Sequence, residues 1–365
     1  MSLKCGIVGL PNVGKSSLFN CLSKTKAQSE NFPFCTIEPN IGIITVPDER
    51  LEKIAEIIGP DKVINTSVEI VDIAGLVKGA SKGEGLGNKF LANIRETNAL
   101  IHVLRCFDNT NITHVDGSVD PVRDKETVEI ELQLKDLETL EKLIEKNLRT
   151  AKSGSKDAMY KIDIANKLIS ELSAGNSIRN ISLDENEQDF INDLSLITAK
   201  PVMYICNVDE KSVLHGNSYV KDFKESIKSE NSKVLLISTQ IEAEIIELED
   251  IEEQKLFLSE LGLEKPSIHY LIQSTYNLLN LQTFFTAGKK EVRAWTIKKG
   301  MKAPQAASVI HTDFEKGFIR AEVITYSNFI EFKSEQACRE NGKLNIEGKD
   351  YIVNDGDIMH FRFNV

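Results

Sequence analysis

The sequence contains no uninterrupted apolar run of about 18 residues, the length that a membrane-spanning helix requires. Its start leads directly into a short apolar strand, without the charged and apolar leader of a secreted protein. We therefore expect no transmembrane helix, no signal peptide, no membrane partner and a cytoplasmic location.

Paired cysteines are also missing. The chain has six scattered cysteines and no C-x-x-C motif; they are Cys5, Cys21, Cys35, Cys106, Cys206 and Cys338. Isolated cysteines predict reduced thiols in a cytoplasmic protein rather than a disulfide framework.

The chain also lacks an excess of positive charge. Its formal net charge of −11 argues against broad, non-specific binding to nucleic acid. Residues 281–365 differ, because they carry 13 Lys and Arg against 11 Asp and Glu, and this weak excess makes them the better candidate for an acidic partner. The length of 365 residues, with 41% hydrophobic and 27% charged residues, predicts a globular protein of two or three domains.

Residues 9–16 read Gly-Leu-Pro-Asn-Val-Gly-Lys-Ser and match the pattern G-x-x-x-x-G-K-[ST]. A strand is expected before them and a helix after them, which is the setting of a phosphate-binding loop and disfavours a chance match. Glycines let successive backbone N–H groups turn toward phosphate oxygens, and the helix presents its positive N-terminal end. The predicted nucleotide-binding residues here are Asn12, Val13, Gly14, Lys15, Ser16 and Ser17. Lys15 would reach the β- and γ-phosphates as a catalytic residue, and Ser16 would ligate Mg²⁺.

Two later loops carry further candidates. In residues 31–40, Thr36 would sense Mg²⁺ and the γ-phosphate, although an ordinary connector is the alternative. A strand at residues 68–72 ends in the pattern D-x-x-G, where Asp72 would hold Mg²⁺ through a water and the Gly75 N–H would meet the γ-phosphate. The strand at residues 41–46 would pair with it in either orientation. Residues 75–90 contain five glycines and form either a functional loop or an inert linker.

The composition changes at about residue 125. Ile130, Leu137 and Ile144 lie one heptad apart in a Glu-, Leu- and Lys-rich stretch, which predicts a long amphipathic helix. A break near residues 152–155 and a second periodic stretch predict an inserted arm of two antiparallel helices over residues 125–195.

The remaining segments complete the predicted α/β fold. Strands at residues 201–206 and 234–238 extend a nucleotide-binding domain that comprises residues 1–124 and 196–280. Residues 281–365 form a small α+β domain, in which residues 354–357 predict a hairpin turn between strands at 351–353 and 358–363.

With these motifs in place, the whole chain resembles the YchF, or Obg-like, ATPases within the translation-factor class of P-loop proteins. The residues that carry the resemblance are 9–16, 31–40, 72–90, 207–210 and the last domain, which resembles the ubiquitin-like TGS fold. The resemblance implies a Ras-like G domain with an inserted helical arm and a TGS domain. It also implies slow, Mg²⁺-dependent ATP hydrolysis, the ribosome as a partner, and contact with RNA through the arm or the TGS domain.

The base-binding motif bears on the choice of nucleotide. GTP-specific relatives use N-K-x-D, whose Asp accepts two hydrogen bonds from guanine, whereas this chain has Asn207, Val208 and, in the fourth position, Glu210. Adenine offers no matching pair of donors, so the change favours ATP and leaves weaker GTP binding open. Asn207 and Val208 are predicted to help position adenine, and Glu210 and Ser238 complete the predicted base site.

Two groups are candidates for assisting hydrolysis, because Leu76 stands where Ras-like relatives have a water-orienting Gln. His102 has a suitable pKa for catalysis but lies in an apolar strand, where a core histidine is the alternative. Asn12 resembles an Asn that holds K⁺ in related phosphate loops, or it only stabilises the loop. A GTP-operated switch and a non-catalytic nucleotide-sensing protein remain as rival functions.

Overall fold

The structure is a computed structural model, and it describes residues 3–24, 40–73 and 86–364. The chain divides into two compact units. The first unit comprises Met1–Gly42 and Glu69–Ile268, and the second comprises Ile43–Val68 and His269–Val365.

The described residues form twelve strands and fourteen α-helices. The strands are β1 (Lys4–Val8), β2 (Ile41–Thr45), β3 (Val63–Ile64), β4 (Ser67–Asp72), β5 (Ala99–Arg105), β6 (Val202–Asn207), β7 (Val234–Ile237), β8 (Leu281–Ala287), β9 (Val292–Lys298), β10 (Phe318–Ile324), β11 (Asn345–Glu347) and β12 (Ile358–Phe363). The helices are α1 (Lys15–Lys24), α2 (Glu49–Ile58), α3 (Leu86–Arg95), α4 (Pro121–Lys152), α5 (Lys156–Ser173), α6 (Glu185–Leu194), α7 (Ser218–Ser226), α8 (Thr239–Glu247), α9 (Ile251–Glu260), α10 (Ser267–Leu278), α11 (Ala303–Ile310), α12 (Thr312–Lys316), α13 (Tyr326–Phe332) and α14 (Glu335–Glu340). None of these helices is both long and apolar enough to cross a bilayer.

One sheet has the strand order β2-β4-β1-β5-β6-β7. The pairs β1–β4, β1–β5, β5–β6 and β6–β7 are parallel. Every residue of β5 and β6 is buried, as expected for parallel strands covered on both faces. β2 runs antiparallel to β4, because the Val46 N–H bonds Thr66 O at 2.9 Å and the Asp72 N–H bonds Asn40 O at 2.8 Å. The α/β fold class is confirmed, and the carboxyl ends of the parallel strands share one edge.

The helical arm is formed by α4 and α5, which a three-residue connection joins. Asp120 caps α4 by accepting from the Val122 and Arg123 N–H groups, each at 3.1 Å, and Pro121 occupies its first turn. Ser155 caps α5. The apolar core between the helices includes Leu140, Ile164, Leu168 and Leu172.

The packing stripe of α4 differs from the predicted heptad. Ile130 is 53% exposed, whereas Glu129, Gln133 and Asp136 are buried. A straight helix repeats every 3.6 residues, so its buried face drifts away from a seven-residue repeat. The buried polar side chains also find partners, as in the bond from Ser177 Oγ to Glu129 at 2.6 Å.

The second unit contains a sheet of order β11-β10-β12-β8-β9-β3. β12–β8 and β9–β3 are parallel, and the other three pairs are antiparallel. One cluster of buried residues includes Phe284, Phe318 and Phe361, and a second includes Phe285 and Phe329. The predicted α+β character of this region is confirmed.

Residues 43–68 belong to this second unit, although the predicted boundaries put them in the nucleotide-binding domain. The reason is α2, whose Leu51 and Ile54 are fully buried in the same cluster as Phe285. Arg50 adds an ion pair with Asp355 at 2.8 Å.

The predicted hairpin around residues 354–357 is wrong. Gly356 has a φ of +91°, as a turn requires, but residues 351–353 form no strand beside β12. Ile352 instead makes an isolated bridge with Lys302, and β12 pairs with β8 and β10. The turn residues were recognisable, whereas the pairing partners of β12 lie far away in the sequence.

Candidate functional site

The predicted phosphate loop connects β1 to α1 at the carboxyl edge of the parallel sheet. Gly14 has a φ of +94°, and a Cβ there would lie 2.2 Å from Asn207 Nδ2. A Cβ on Gly9 would lie 2.6 Å from the backbone oxygen of Val103. Both glycines are therefore required by close approach, and α1 begins immediately after them, so that its free N–H groups are available to an anion.

Lys15 and Asp72 meet beside this loop. Asp72 stands opposite Ile7 in the β1–β4 register, and its carboxylate forms an ion pair with Lys15 Nζ. Lys15 is only 7% exposed, whereas Ser16 and Ser17 are exposed at the start of α1. The predicted residues Thr36 and Gly75, and Leu76, lie outside the described residues.

This set of side chains fits Mg²⁺ in its chemistry. The metal prefers hard oxygen ligands, and Ser16 and Asp72 supply a hydroxyl and a carboxylate. The two residues begin α1 and end β4, the elements on either side of the phosphate loop in the chain.

Asn207 ties the phosphate loop to a neighbouring segment. It is 2% exposed, its Nδ2 donates to Val13 O at 2.9 Å, and its Oδ1 accepts from the Thr239 N–H at 3.2 Å. Both polar atoms of its amide therefore bind protein backbone. This contact holds the loop against the β7–α8 turn, so the influence of Asn207 on a bound nucleotide is through position.

The other predicted base-site residues occupy different environments. Val208 is 2% exposed, and its N–H bonds Ile237 O at 2.9 Å. Ser238 is also buried and caps α8, accepting from the Ile241 N–H at 3.5 Å. Glu210 is exposed at the start of a short 3₁₀ turn, Glu210–Ser212. Of these three, Glu210 has the side chain that is accessible to a base.

His102 lies in the interior of the first unit. It is 1% exposed, its Nε2 has no hydrogen-bond partner among the described residues, and its ring lies 5.7 Å from the Tyr204 ring. Burial lowers the pKa of His102 to about 4, and the nearby Lys125 and Arg179 lower it further while Glu129 opposes them. This environment supports the core alternative for His102 rather than a role as catalytic base.

The loop after β5 was missed by the sequence analysis. Asn12 Nδ2 donates to Thr113 O at 3.2 Å, which places this loop against the phosphate loop. Arg105, 2% exposed, holds the loop through the carbonyls of Phe107, Asn109 and Ile112 at 3.0–3.1 Å. No motif marks these residues, because the contacts depend on how the loop returns over the sheet.

His114 follows Thr113 in the same loop and has a fixed orientation. Its Nδ1 accepts from the Asp116 N–H at 3.1 Å, so the proton resides on Nε2, which donates to Asp124 at 2.9 Å. Potential metal-ligating atoms of His114, Asp116 and Asp124 lie within 4.8 Å of one another. Because both ring nitrogens are hydrogen-bonded and Arg123 also binds Asp124, the group forms a hydrogen-bond network rather than a metal site.

A glycine-bounded loop, Lys15, Ser16 and Asp72 thus converge at the carboxyl edge of a mainly parallel sheet, with Asn207 bracing the loop. This combination defines a P-loop nucleotide-binding protein of the GTPase-domain class. A family model described as 50S ribosome-binding GTPase matches residues 4–145. A second model, named YchF-GTPase_C and described as a protein of unknown function (DUF933), matches residues 281–364.

The chain belongs to the YchF family. The Ribosome-binding ATPase YchF of Haemophilus ducreyi is 55% identical over 365 residues, and that of Bacillus subtilis is 50% identical over 367 residues. Each alignment covers 100% of both chains. The solved structure of the Schizosaccharomyces pombe YchF GTPase is 38% identical, covers 99% of this chain and 98% of its own, and has a TM-score of 0.90. The suspected family resemblance is confirmed.

Proposed function

We propose that this chain is a cytoplasmic, Mg²⁺-dependent ATPase that hydrolyses ATP slowly and associates with the ribosome as a nucleotide-controlled switch. The observation that carries the proposal is the convergence of Lys15, Ser16 and Asp72 at a phosphate loop. The name shared by the bacterial relatives, Ribosome-binding ATPase, supports the activity and the partner.

In this proposal Lys15 and Asp72 exchange partners when the nucleotide binds. Lys15 leaves the carboxylate for the β- and γ-phosphate oxygens, and Asp72 then turns to the metal shell together with Ser16. Bound Mg²⁺ would neutralise charge on the phosphate oxygens. Thr36 and Gly75 would respond to the γ-phosphate, so that the loops at residues 31–40 and 75–90 change with the nucleotide state.

The preference for ATP rests on Glu210. An Asp in this position accepts two hydrogen bonds from guanine, whereas the longer Glu places its carboxylate differently and adenine offers no such pair of donors. The relatives' names differ on this point, since the S. pombe protein is named a GTPase. Weaker GTP binding is therefore part of the proposal.

Titration of ATP and GTP, each with Mg²⁺, into nucleotide-free protein tests the choice of base. We expect at least about tenfold tighter binding of ATP. Glu210→Asp should raise GTP affinity relative to ATP, because it restores the guanine acceptor, whereas Glu225→Asp, the same change at an exposed distant position, should not. Tighter GTP binding by the wild type would overturn the ATP assignment and favour a GTP-operated switch.

Turnover in the same preparations separates an enzyme from a nucleotide-sensing binder. Slow hydrolysis that ribosomes accelerate supports the switch, and ATP binding without hydrolysis under either condition supports the non-catalytic alternative. We also propose that Asn12 helps to hold K⁺ near the transferred phosphate. Equal rates in K⁺ and Na⁺ would reject that role.

A further inference from the structure

The end of the helical arm carries a concentrated positive charge. Residues 146–156 contain Lys146, Arg149, Lys152 and Lys156 and no acidic residue, in a chain whose net charge is −11. All four side chains are exposed. We call residues 146–160 the arm tip.

The four cations of the arm tip form no ion pair within the described part of the chain, in contrast to the lysines on either side. Lys142, before the tip, pairs with Glu138, and Lys161, after it, pairs with Asp157 at 2.7 Å. The charges between these two pairs are therefore available to an external anion.

Stability of the arm does not account for all four charges. Arg149 and Lys152 lie in the last turn of α4, where cations interact favourably with the free carbonyl groups. Lys146 precedes that turn. Lys156 is the first residue of α5, where a cation opposes the positive end of the helix. Two of the four charges thus have no intrahelical role.

Apolar and aromatic groups accompany the charges. Leu148, Met159 and Tyr160 are 43–46% exposed, although Ala151 and Ala158 between them are buried where α4 and α5 meet. Free cations beside an exposed aromatic ring are typical of surfaces that bind the phosphates of nucleic acid and contact its bases.

We propose that the arm tip is an RNA-binding surface, in which Lys146, Arg149, Lys152 and Lys156 contact phosphates and Tyr160 contacts an unpaired base. This inference deepens the proposed association with the ribosome and rests on it for the identity of the RNA. An acidic protein surface would match the charges but would leave the exposed aromatic ring without a partner of the same kind.

The test uses full-length protein and a fluorescent RNA hairpin with a single-stranded loop, titrated at several salt concentrations. A variant with Lys146→Gln, Arg149→Gln, Lys152→Gln and Lys156→Gln removes the four cations. The matched control carries Lys53→Gln, Lys62→Gln, Lys221→Gln and Lys224→Gln, which removes four exposed cations elsewhere. Each phosphate contact adds about 0.7 to 0.9 to the slope of log affinity against log salt. We therefore expect the arm variant to lower that slope by about 3 and the control to retain it.

Tyr160 has a separate readout. Tyr160→Ala should weaken hairpin binding about fivefold or more without changing the salt slope, because base contact involves no ion release, and Tyr160→Phe should bind normally. Equal salt slopes for the arm variant and the control would overturn the proposal. Competition by poly-L-glutamate, but not by unlabelled RNA of equal charge, would also overturn it and favour an acidic protein partner.

Co-sedimentation with ribosomes and ATP turnover separate this inference from the proposed function. If wild-type protein hydrolyses ATP and sediments with ribosomes and the arm variant loses only the sedimentation, both proposals are supported. If the arm variant sediments like the control, the arm inference fails and the proposed function stands. If wild-type protein does not sediment with ribosomes, the proposed partner fails, and the hairpin titration alone decides RNA binding by the arm.

Discussion

At the scale of single residues, Asn207 uses its side-chain amide twice, in both cases with the protein's own backbone. The bonds to Val13 and Thr239 join the phosphate loop to the start of α8. The order of motifs along the sequence indicates that such a residue lies near the nucleotide. The direction in which the amide points depends on β6 and the loop meeting in space, so the sequence did not predict this bracing role.

His102 provides a prediction about pH. Its pKa is about 4 in the folded protein because it is buried, against about 6.5 in an unfolded chain. Between these values the unfolded chain binds a proton that the folded protein excludes, so stability falls as the pH is lowered through this window. His102→Asn should remove about 2 kcal/mol of the stability that the wild type loses between pH 7 and pH 5, measured by urea unfolding.

The exposed His215 is the control for that experiment. His215→Asn should leave the pH dependence of unfolding unchanged. ATP turnover of His102→Asn, measured at pH 7 with normal ATP binding, should also be unchanged if His102 is a core residue. A large loss of turnover together with a wild-type pH dependence of stability would instead support the catalytic alternative.

At the scale of elements, α4 joins the arm to the nucleotide-binding sheet through buried polar contacts. The Asp136 carboxylate is fully buried and accepts from the Ile197 and Thr198 N–H groups at 2.9 and 2.7 Å and from the Thr198 hydroxyl at 2.7 Å. These three bonds fix the segment that leads from α6 into β6. The apolar periodicity predicted both helices of the arm but could not predict that polar residues occupy the buried face of α4.

Replacement of Asp136 should therefore destabilise the protein strongly. Asp136→Ala leaves two buried N–H groups and a hydroxyl without their acceptor, and we expect a loss of about 3 kcal/mol in the free energy of unfolding. Glu141→Ala removes an exposed carboxylate five residues farther along α4 and should cost less than about 0.5 kcal/mol. Similar losses in the two variants, measured by urea unfolding, would contradict the bracing role of Asp136.

At the scale of the whole molecule, the second unit is assembled from two separate parts of the chain. α2, from residues 43–68, contributes Leu51 and Ile54 to a cluster that otherwise consists of residues beyond position 280. β3 from the same segment pairs with β9. A boundary drawn from local composition placed this segment in the nucleotide-binding domain, because composition does not reveal where an amphipathic helix packs.

Leu51→Ala tests this assignment. The substitution leaves a cavity in the second unit and should cost about 2–5 kcal/mol. We expect hydrogen exchange to accelerate in β8 and β9, and the amides of α4 and α5 to exchange as in the wild type. Leu168→Ala, which opens a comparable cavity in the arm, should give the opposite pattern. Faster exchange in α4 and α5 of Leu51→Ala, with β8 and β9 unaffected, would contradict the assignment.

The sequence by itself determined the chemistry of residues 9–16, because a phosphate loop depends on consecutive backbone N–H groups, glycine conformations and the start of one helix, all of which are local. It also indicated the α/β fold, both helices of the arm and the family. Only the tertiary structure decided that Asn207 braces the loop, that His102 is enclosed in the core and that residues 43–68 join the second unit. Each of these depends on segments that are distant in sequence packing together, and packing of that kind has no local sequence signature.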